Sequence, residues 1–158
     1  PLWVWGAGHV GRAVVQIASQ LEEFDITWVD TSSERFPLDI PFNVTVVPAV
    51  EPTHLMAHAP KEAQHLIFTY SHALDLALCD AALNRGFTFC GLIGSKSKWV
   101  RFKGRLSALG HSDSKISEIT CPIGEPNLGK QPFAIAIGVT QSLLSAEIRS
   151  TDQRRACL

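Results

Sequence analysis

Charge is sparse on this chain: 18% of its 158 residues are charged, and 14 basic residues against 15 acidic ones leave a formal net charge of −1. That balance excludes a general nucleic-acid or membrane-surface binder working through overall charge, and leaves only local basic patches to consider. Long hydrophobic runs are also missing, since no uninterrupted apolar stretch reaches the roughly eighteen residues needed to span a bilayer. No charged segment precedes an apolar one at the start, so no signal peptide is visible. Cys79, Cys90, Cys121 and Cys157 form no CxxC pair and no Cys/His metal spacing. Reduced thiols in a cytoplasmic protein are therefore expected, rather than a disulfide frame. His54, His58, His65 and His111 show no metal-type spacing either. Repeats and low-complexity segments are absent. What remains is an ordinary globular composition, 46% hydrophobic, in a length that suits one domain with a real core.

The pattern that organises the chain lies at its start. Leu2 to Trp5 reads as a short apolar strand running directly into Gly6-x-Gly8-x-x-Gly11. In a dinucleotide-type turn the first glycine permits the tight bend, the second lets a ligand approach bare backbone, and the third lets the next helix lie close. That helix is legible too, because Val10, Ala13, Val14, Ile17, Ala18 and Leu21 recur on one helical face. A second strand, Ile26 to Val29, ends at Asp30, nineteen positions beyond Gly11. A carboxylate there suits a ribose hydroxyl; the competing reading is a cap for the loop Thr31 to Glu34. Pro1 stands one residue before the first strand, so a preceding part of the protein is expected to lie outside this sequence.

Further β-rich runs follow at Asn43 to Val47, Leu66 to Thr69 and Phe87 to Ile93, separated by helical patterns. One short helix is expected over Glu51 to Ala59, one from Ser71 to Gly86, and one from the Gly94 loop to Gly110. The alternation predicts an α/β fold: a Rossmann-like, doubly wound parallel sheet in three layers, with strand order 3-2-1-4-5. A single domain over residues 1–149 and a frayed tail over 150–158 complete the expectation. Ser112 to Glu118 suggests a polar turn or short helix, and Ile119 to Pro126 a loop, since two prolines and a glycine oppose regular structure. A long helix from Phe133 to about Arg149 is apolar nearly all round at its start. It should pack centrally on the sheet or join a homodimer interface.

Strands one and four flank the switch point of such a sheet, where ligands bind. That topology brings the glycine loop, with His9 inside it, near Ser71, His72 and Asp75. These three either contact a ligand or merely start a helix, Ser71 or His72 as N-cap and Asp75 in the first turn. Gly94, Ser95, Lys96 and Ser97, with a helix N-terminus behind them, resemble a phosphate cradle, although the Walker A spacing is missing. Lys98, Arg101 and Arg105 fall on one helical face, which is either simply solvated or attracts an anionic ligand or partner. Cys121, before Pro122 in a loop, suits an exposed thiol, whereas Cys79 and Cys90 sit in core patterns.

Taken together, Gly6-Ala-Gly-His-Val-Gly-Arg12, Thr27-Trp-Val-Asp30, Ser71-His-Ala-Leu-Asp75, Gly91-Leu-Ile-Gly-Ser-Lys96 and Thr120-Cys-Pro-Ile-Gly124 resemble the C-terminal Rossmann domain of the XdhC/CoxI family. These are xanthine dehydrogenase accessory proteins, and the resemblance runs to about Arg149. It implies a cytoplasmic, non-enzymatic role: binding the molybdenum cofactor (molybdopterin), protecting it, and delivering it to a xanthine dehydrogenase-type molybdenum hydroxylase. A cysteine desulfurase is a further implied partner. The candidate cofactor-binding set is Gly6, Gly8, His9, Gly11, Asp30, Ser71, His72, Asp75, Gly94, Ser95, Lys96 and Arg101. Two departures stand out. Family members usually carry an N-terminal domain that this sequence does not contain, and their Arg soon after the strand-two Asp is replaced by Ser32 and Ser33, with Arg35 coming later. The alternative from another class is an NAD(P)-dependent oxidoreductase, carried by the glycine loop and Asp30 but lacking a separate substrate domain. A docking module using the Lys98 to Arg105 face is the third.

Overall fold

The structure, a computed structural model, describes the backbone of residues 1–156 and the side chains of residues 1–147. Each β-rich run becomes a strand: β1 Leu2–Trp5, β2 Ile26–Asp30, β3 Val44–Pro48, β4 Gln64–Ile67 and β5 Phe89–Leu92. All pairings are parallel, and the sheet order is β3-β2-β1-β4-β5-β6. The expected order of five is thus present and one strand is added. That strand, β6, is Ile119–Thr120, paired with Cys90 and Gly91. It corrects the loop expected over Ile119 to Pro126. Two residues fit before Pro122, whose missing N–H ends the ladder, and a 3-10 turn at Pro126–Leu128 closes the segment.

The helices are α1 His9–Ala18, α2 Pro52–Leu55, α3 His72–Arg85, α4 Lys96–Ala108, α5 Asp113–Ile116 and α6 Pro132–Ala156. α6 runs to Ala156, past its expected end near Arg149. Residues 157 and 158, Cys157 among them, lie outside the described residues.

Alternation along the strands divides the core in two. Leu2, Val4, Ile26, Trp28 and Leu66 face α1 and α6, meeting Ala13, Val14, Ala136, Val139 and Leu143. Trp5, Val29, Ile67, Cys90 and Leu92 face the other way, toward Leu78, Cys79, Ala82 and Leu83 of α3 and Phe102 and Leu106 of α4. The sheet is therefore the middle of three layers. α6 packs beside α1 with Ala136, Val139 and Leu143 inward, while Phe133 and Ile137 remain about half exposed. Among the described residues, no helix is long and apolar enough to cross a membrane.

One polar group sits deep in the second layer. His65 is fully buried, its Nδ1 accepting a hydrogen bond from Trp5 Nε1 at 3.2 Å while Nε2 has no partner. Burial lowers its pKa from 6.5 to about 4, because the imidazolium would lose its hydration. The folded protein holds the neutral ring and the unfolded chain takes up a proton first. Stability from this residue is thus complete above pH 6.5 and falls as pH drops toward 4. Urea unfolding between pH 7 and pH 4 should lose on the order of 3 kcal/mol from this group, and the His65→Leu variant should lose that part of the slope.

Candidate functional site

The turn from β1 into α1 is built on contacts that only glycine allows. Gly6 has φ +118°, and a Cβ there would collide with the carbonyl oxygen of Phe68 at the exit of β4. A Cβ on Gly11 would collide with the carbonyl oxygen of Gly6, the same oxygen that accepts a hydrogen bond from Trp28 Nε1 at 3.0 Å. The helix is thereby held against the strand. Gly8 behaves differently: no atom lies within 4 Å of where its Cβ would be. Gly8 is also the N-cap of α1, without a side-chain cap and with no acid in the first turn. The backbone at Gly8 is therefore approachable at a helix N-terminus, the arrangement that suits an anion. His9 beside it is exposed.

Asp30 meets this turn from the end of β2. Its carboxylate is buried and accepts hydrogen bonds from the Ala7 amide at 2.6 Å, the Thr31 amide at 2.6 Å and the Thr31 hydroxyl at 3.1 Å. Arg35 Nε adds an ion pair at 3.2 Å that lacks hydrogen-bond geometry. The capping reading is thus realised, and Asp30 pins the glycine turn as well. A ribose hydroxyl arriving here would have to share oxygens already engaged by the protein. Arg12 reinforces the same corner, donating from Nε to the Ala7 carbonyl at 2.9 Å and from a terminal nitrogen to the Arg35 carbonyl at 2.7 Å. Arg35 in turn lies 4.4 Å over the exposed ring of Tyr70, which follows β4.

On the other side of β4, a cleft of about 270 Å³ is bounded by Thr69, Tyr70, His72, Gly94, Ser95 and Arg101, with Asp75 and Lys98 also in its wall. The structure thus brings together five members of the candidate set: His72, Asp75, Gly94, Ser95 and Arg101. The glycine turn is adjacent, since Gly6 rests on Phe68 and on the amide of Thr69. Ser71 accepts from the Leu74 amide at 3.3 Å, so it caps α3; Ser95 accepts from the Lys98 amide at 3.1 Å and caps α4. Asp75 is buried beneath them and accepts from the Thr69 amide at 3.1 Å, the Thr69 hydroxyl at 2.7 Å and Lys98 Nζ at 2.7 Å.

Lys98 departs from the expected solvated basic face. It shares a helical stripe with Phe102 and Leu106, and all three are buried. The aliphatic stem passes under Gly94, where a Cβ would stand 2.6 Å from Lys98 Cδ. Its ammonium then reaches Asp75 and donates to the Ile93 carbonyl at 2.8 Å. Lys96, expected to supply the ammonium of a phosphate cradle, is exposed and does not line the cleft. The expected cradle is corrected accordingly: the room at Gly94 is taken by Lys98. Sequence reasoning missed Thr69, Arg35, Tyr70 and the inward turn of Lys98. The stripe 98, 102, 106 carried a signal for the last; the others sit in loops without periodicity.

Cys121 is half-buried, not exposed, and burial raises its pKa to about 11, with Lys98 lowering it and Asp75 raising it further. The thiol is protonated at neutral pH and is a poor nucleophile there. Cys79 and Cys90 are buried and free. Among the described residues, no group of three or more His, Cys, Asp or Glu side chains is placed to hold a metal ion. A larger cavity of about 630 Å³ lies beside α1, where Arg12, Gln16, Gln20 and Trp28 meet the loop at Phe42.

A parallel sheet with a glycine turn at its switch point and a polar cleft beside it defines a Rossmann-type domain. The sequence match over residues 2–143 is to the XdhC Rossmann domain, and the chain belongs to that family. It is 27% identical over 144 residues to the uncharacterized protein YqeB of Escherichia coli (strain K12), covering 90% of this chain but 26% of that one. A crystal structure of a xanthine dehydrogenase from Bacillus halodurans shares the fold, with TM-score 0.73 and 22% identity, over 94% of this chain and 42% of that one. The chain thus spans about a quarter of the curated relative's length and under half of the solved chain.

Breaking the Asp75–Lys98 pair from one side strands a charge in the interior. Lys98→Met should cost about 3–5 kcal/mol by urea unfolding, and the double variant Asp75→Asn/Lys98→Met should recover most of that loss.

Proposed function

We propose that this domain binds the molybdenum cofactor (molybdopterin) without transforming it, as an accessory module for a xanthine dehydrogenase-type molybdenum hydroxylase. The observation that carries the reading is the cleft lined by His72 and Arg101, whose Thr69 wall adjoins Gly6 of the glycine turn, in a domain of the XdhC family. A cytoplasmic setting and a cysteine desulfurase as second partner go with the same reading.

The donor set suits such a guest. Its phosphate would be held by the first-turn amides of α1 and by the Arg101 guanidinium, the exposed cation of the cleft. The flat heterocycle would find the exposed Tyr70 ring and the imidazole of His72. When bound in its client, the cofactor supplies the redox chemistry. The residues here bind and orient: Lys98 and Asp75 neutralise one another, and Cys121 is protonated. With its buried carboxylate and ammonium committed to each other, the cleft favours carriage over catalysis.

The NAD(P)-dependent reading rests on the same glycine turn and is disfavoured by the engagement of Asp30 with Ala7, Thr31 and Arg35. Titration of the chain with molybdenum cofactor should show saturable binding, weakened about tenfold by Arg101→Ala. NADH fluorescence should stay unchanged at millimolar cofactor. Saturable NADH binding with no binding of molybdenum cofactor would reverse the assignment.

A further inference from the structure

The proposed cleft does not end at Arg101. A second groove, of about 470 Å³, opens on the far side of the same wall and is lined by His72, Arg101, Phe102, Gly104 and Arg105. His72 and Arg101 therefore face both spaces. Arg101 and Arg105 are four apart on α4, which places their Cβ atoms about 6 Å from each other on one face. Both are exposed, and α4 carries no Asp or Glu. Among the described residues neither arginine has an ion-pair partner; the four pairs present involve Arg35, His54, Lys98 and His111.

Gly104, between the two arginines, adds an independent observation. Glycine inside a helix is disfavoured relative to alanine, yet a Cβ at Gly104 would meet no atom within 4 Å. Packing does not demand the glycine. Its effect is to leave open the border of the groove that carries Arg101 and Arg105.

We propose that this groove is a second anion subsite, continuous with the first through Arg101, and that the domain takes an organic diphosphate in preference to a monophosphate. One phosphate group lies on the His72–Arg101 side and the next on Arg101 and Arg105. The inference rests on the proposed cleft for its first anchor, and it extends the ligand class of that cleft from monophosphates to diphosphates.

Calorimetric titration of the whole chain at low salt with inorganic phosphate and with inorganic pyrophosphate tests it. Pyrophosphate should bind at least tenfold more tightly. Arg105→Ala should remove that advantage while leaving phosphate affinity unchanged, and Gly104→Leu should reduce it by crowding the border of the groove. Lys103→Ala, an exposed cation of α4 outside the groove, should change neither affinity. Equal affinity for the two anions, or equal losses in Arg105→Ala and Lys103→Ala, would overturn the subsite and reduce it to general attraction by a basic helix. The outcome is separable from the cofactor assignment: a chain that prefers pyrophosphate but does not bind molybdenum cofactor loses only the latter.

Discussion

The approach of α1 to the end of β1 is the constraint on which the functional edge depends. Gly11 stands against the carbonyl of Gly6, and Gly6 stands against the carbonyl of Phe68, so two strands and a helix share one crowded point of backbone. Every contact that shapes the edge is tied to it. Trp28 reaches across from β2 to the Gly6 oxygen, Asp30 takes the Ala7 amide, and Arg12 returns to the Ala7 oxygen. A side chain at position 11 would push the helix away and loosen all of these together. Gly8, in the same motif, packs against nothing, which separates the glycines that build the turn from the one that leaves it accessible.

Two buried acids serve two halves of the edge in similar ways. Asp30 draws the loop after β2 over the glycine turn, and Asp75 draws α3 and α4 together beneath the cleft. A buried ion pair adds little net stability compared with apolar packing, because desolvation offsets most of the attraction. What the Asp75–Lys98 pair does supply is position. It ties the end of β4, through Thr69, to the end of β5, through the Ile93 carbonyl, and so fixes the width of the cleft. Arg35 bridges the halves, paired with Asp30 on one side and stacked on Tyr70 on the other.

Much of this was legible in the sequence, for reasons that are local. The glycine turn, the α1 stripe and the β-branched runs each declare themselves within a dozen residues, and alternation then fixes the strand order from β3 through β5. β6 was not legible because its pairing is set by the open edge of β5 and not by its own two residues. Site residues divided in the same way. His72, Gly94 and Ser95 follow from topology, since they stand at strand exits or on the first turns of helices, and Arg101 follows from the basic face of α4. Lys98 was misplaced because charge was weighed above helical phase; it occupies the stripe of Phe102 and Leu106, and its long stem lets the ammonium reach a buried carboxylate. Asp30 and Asp75 were recognised as residues of interest, but their partners, Ala7, Thr69 and Lys98, lie 6 to 23 positions away and depend on the assembled sheet.

The rims of the sheet carry one more implication. β6 contributes only two residues before Cys121–Pro122, and β3 on the opposite side closes with Pro48. The β6 border offers only two residues to a foreign strand, whereas β3 keeps Val44 to Val47 ahead of its proline and is the more open border. Strand addition to this domain is thus confined to one rim, and the half-exposed Phe133 and Ile137 side of α6 is a helical surface open to contact.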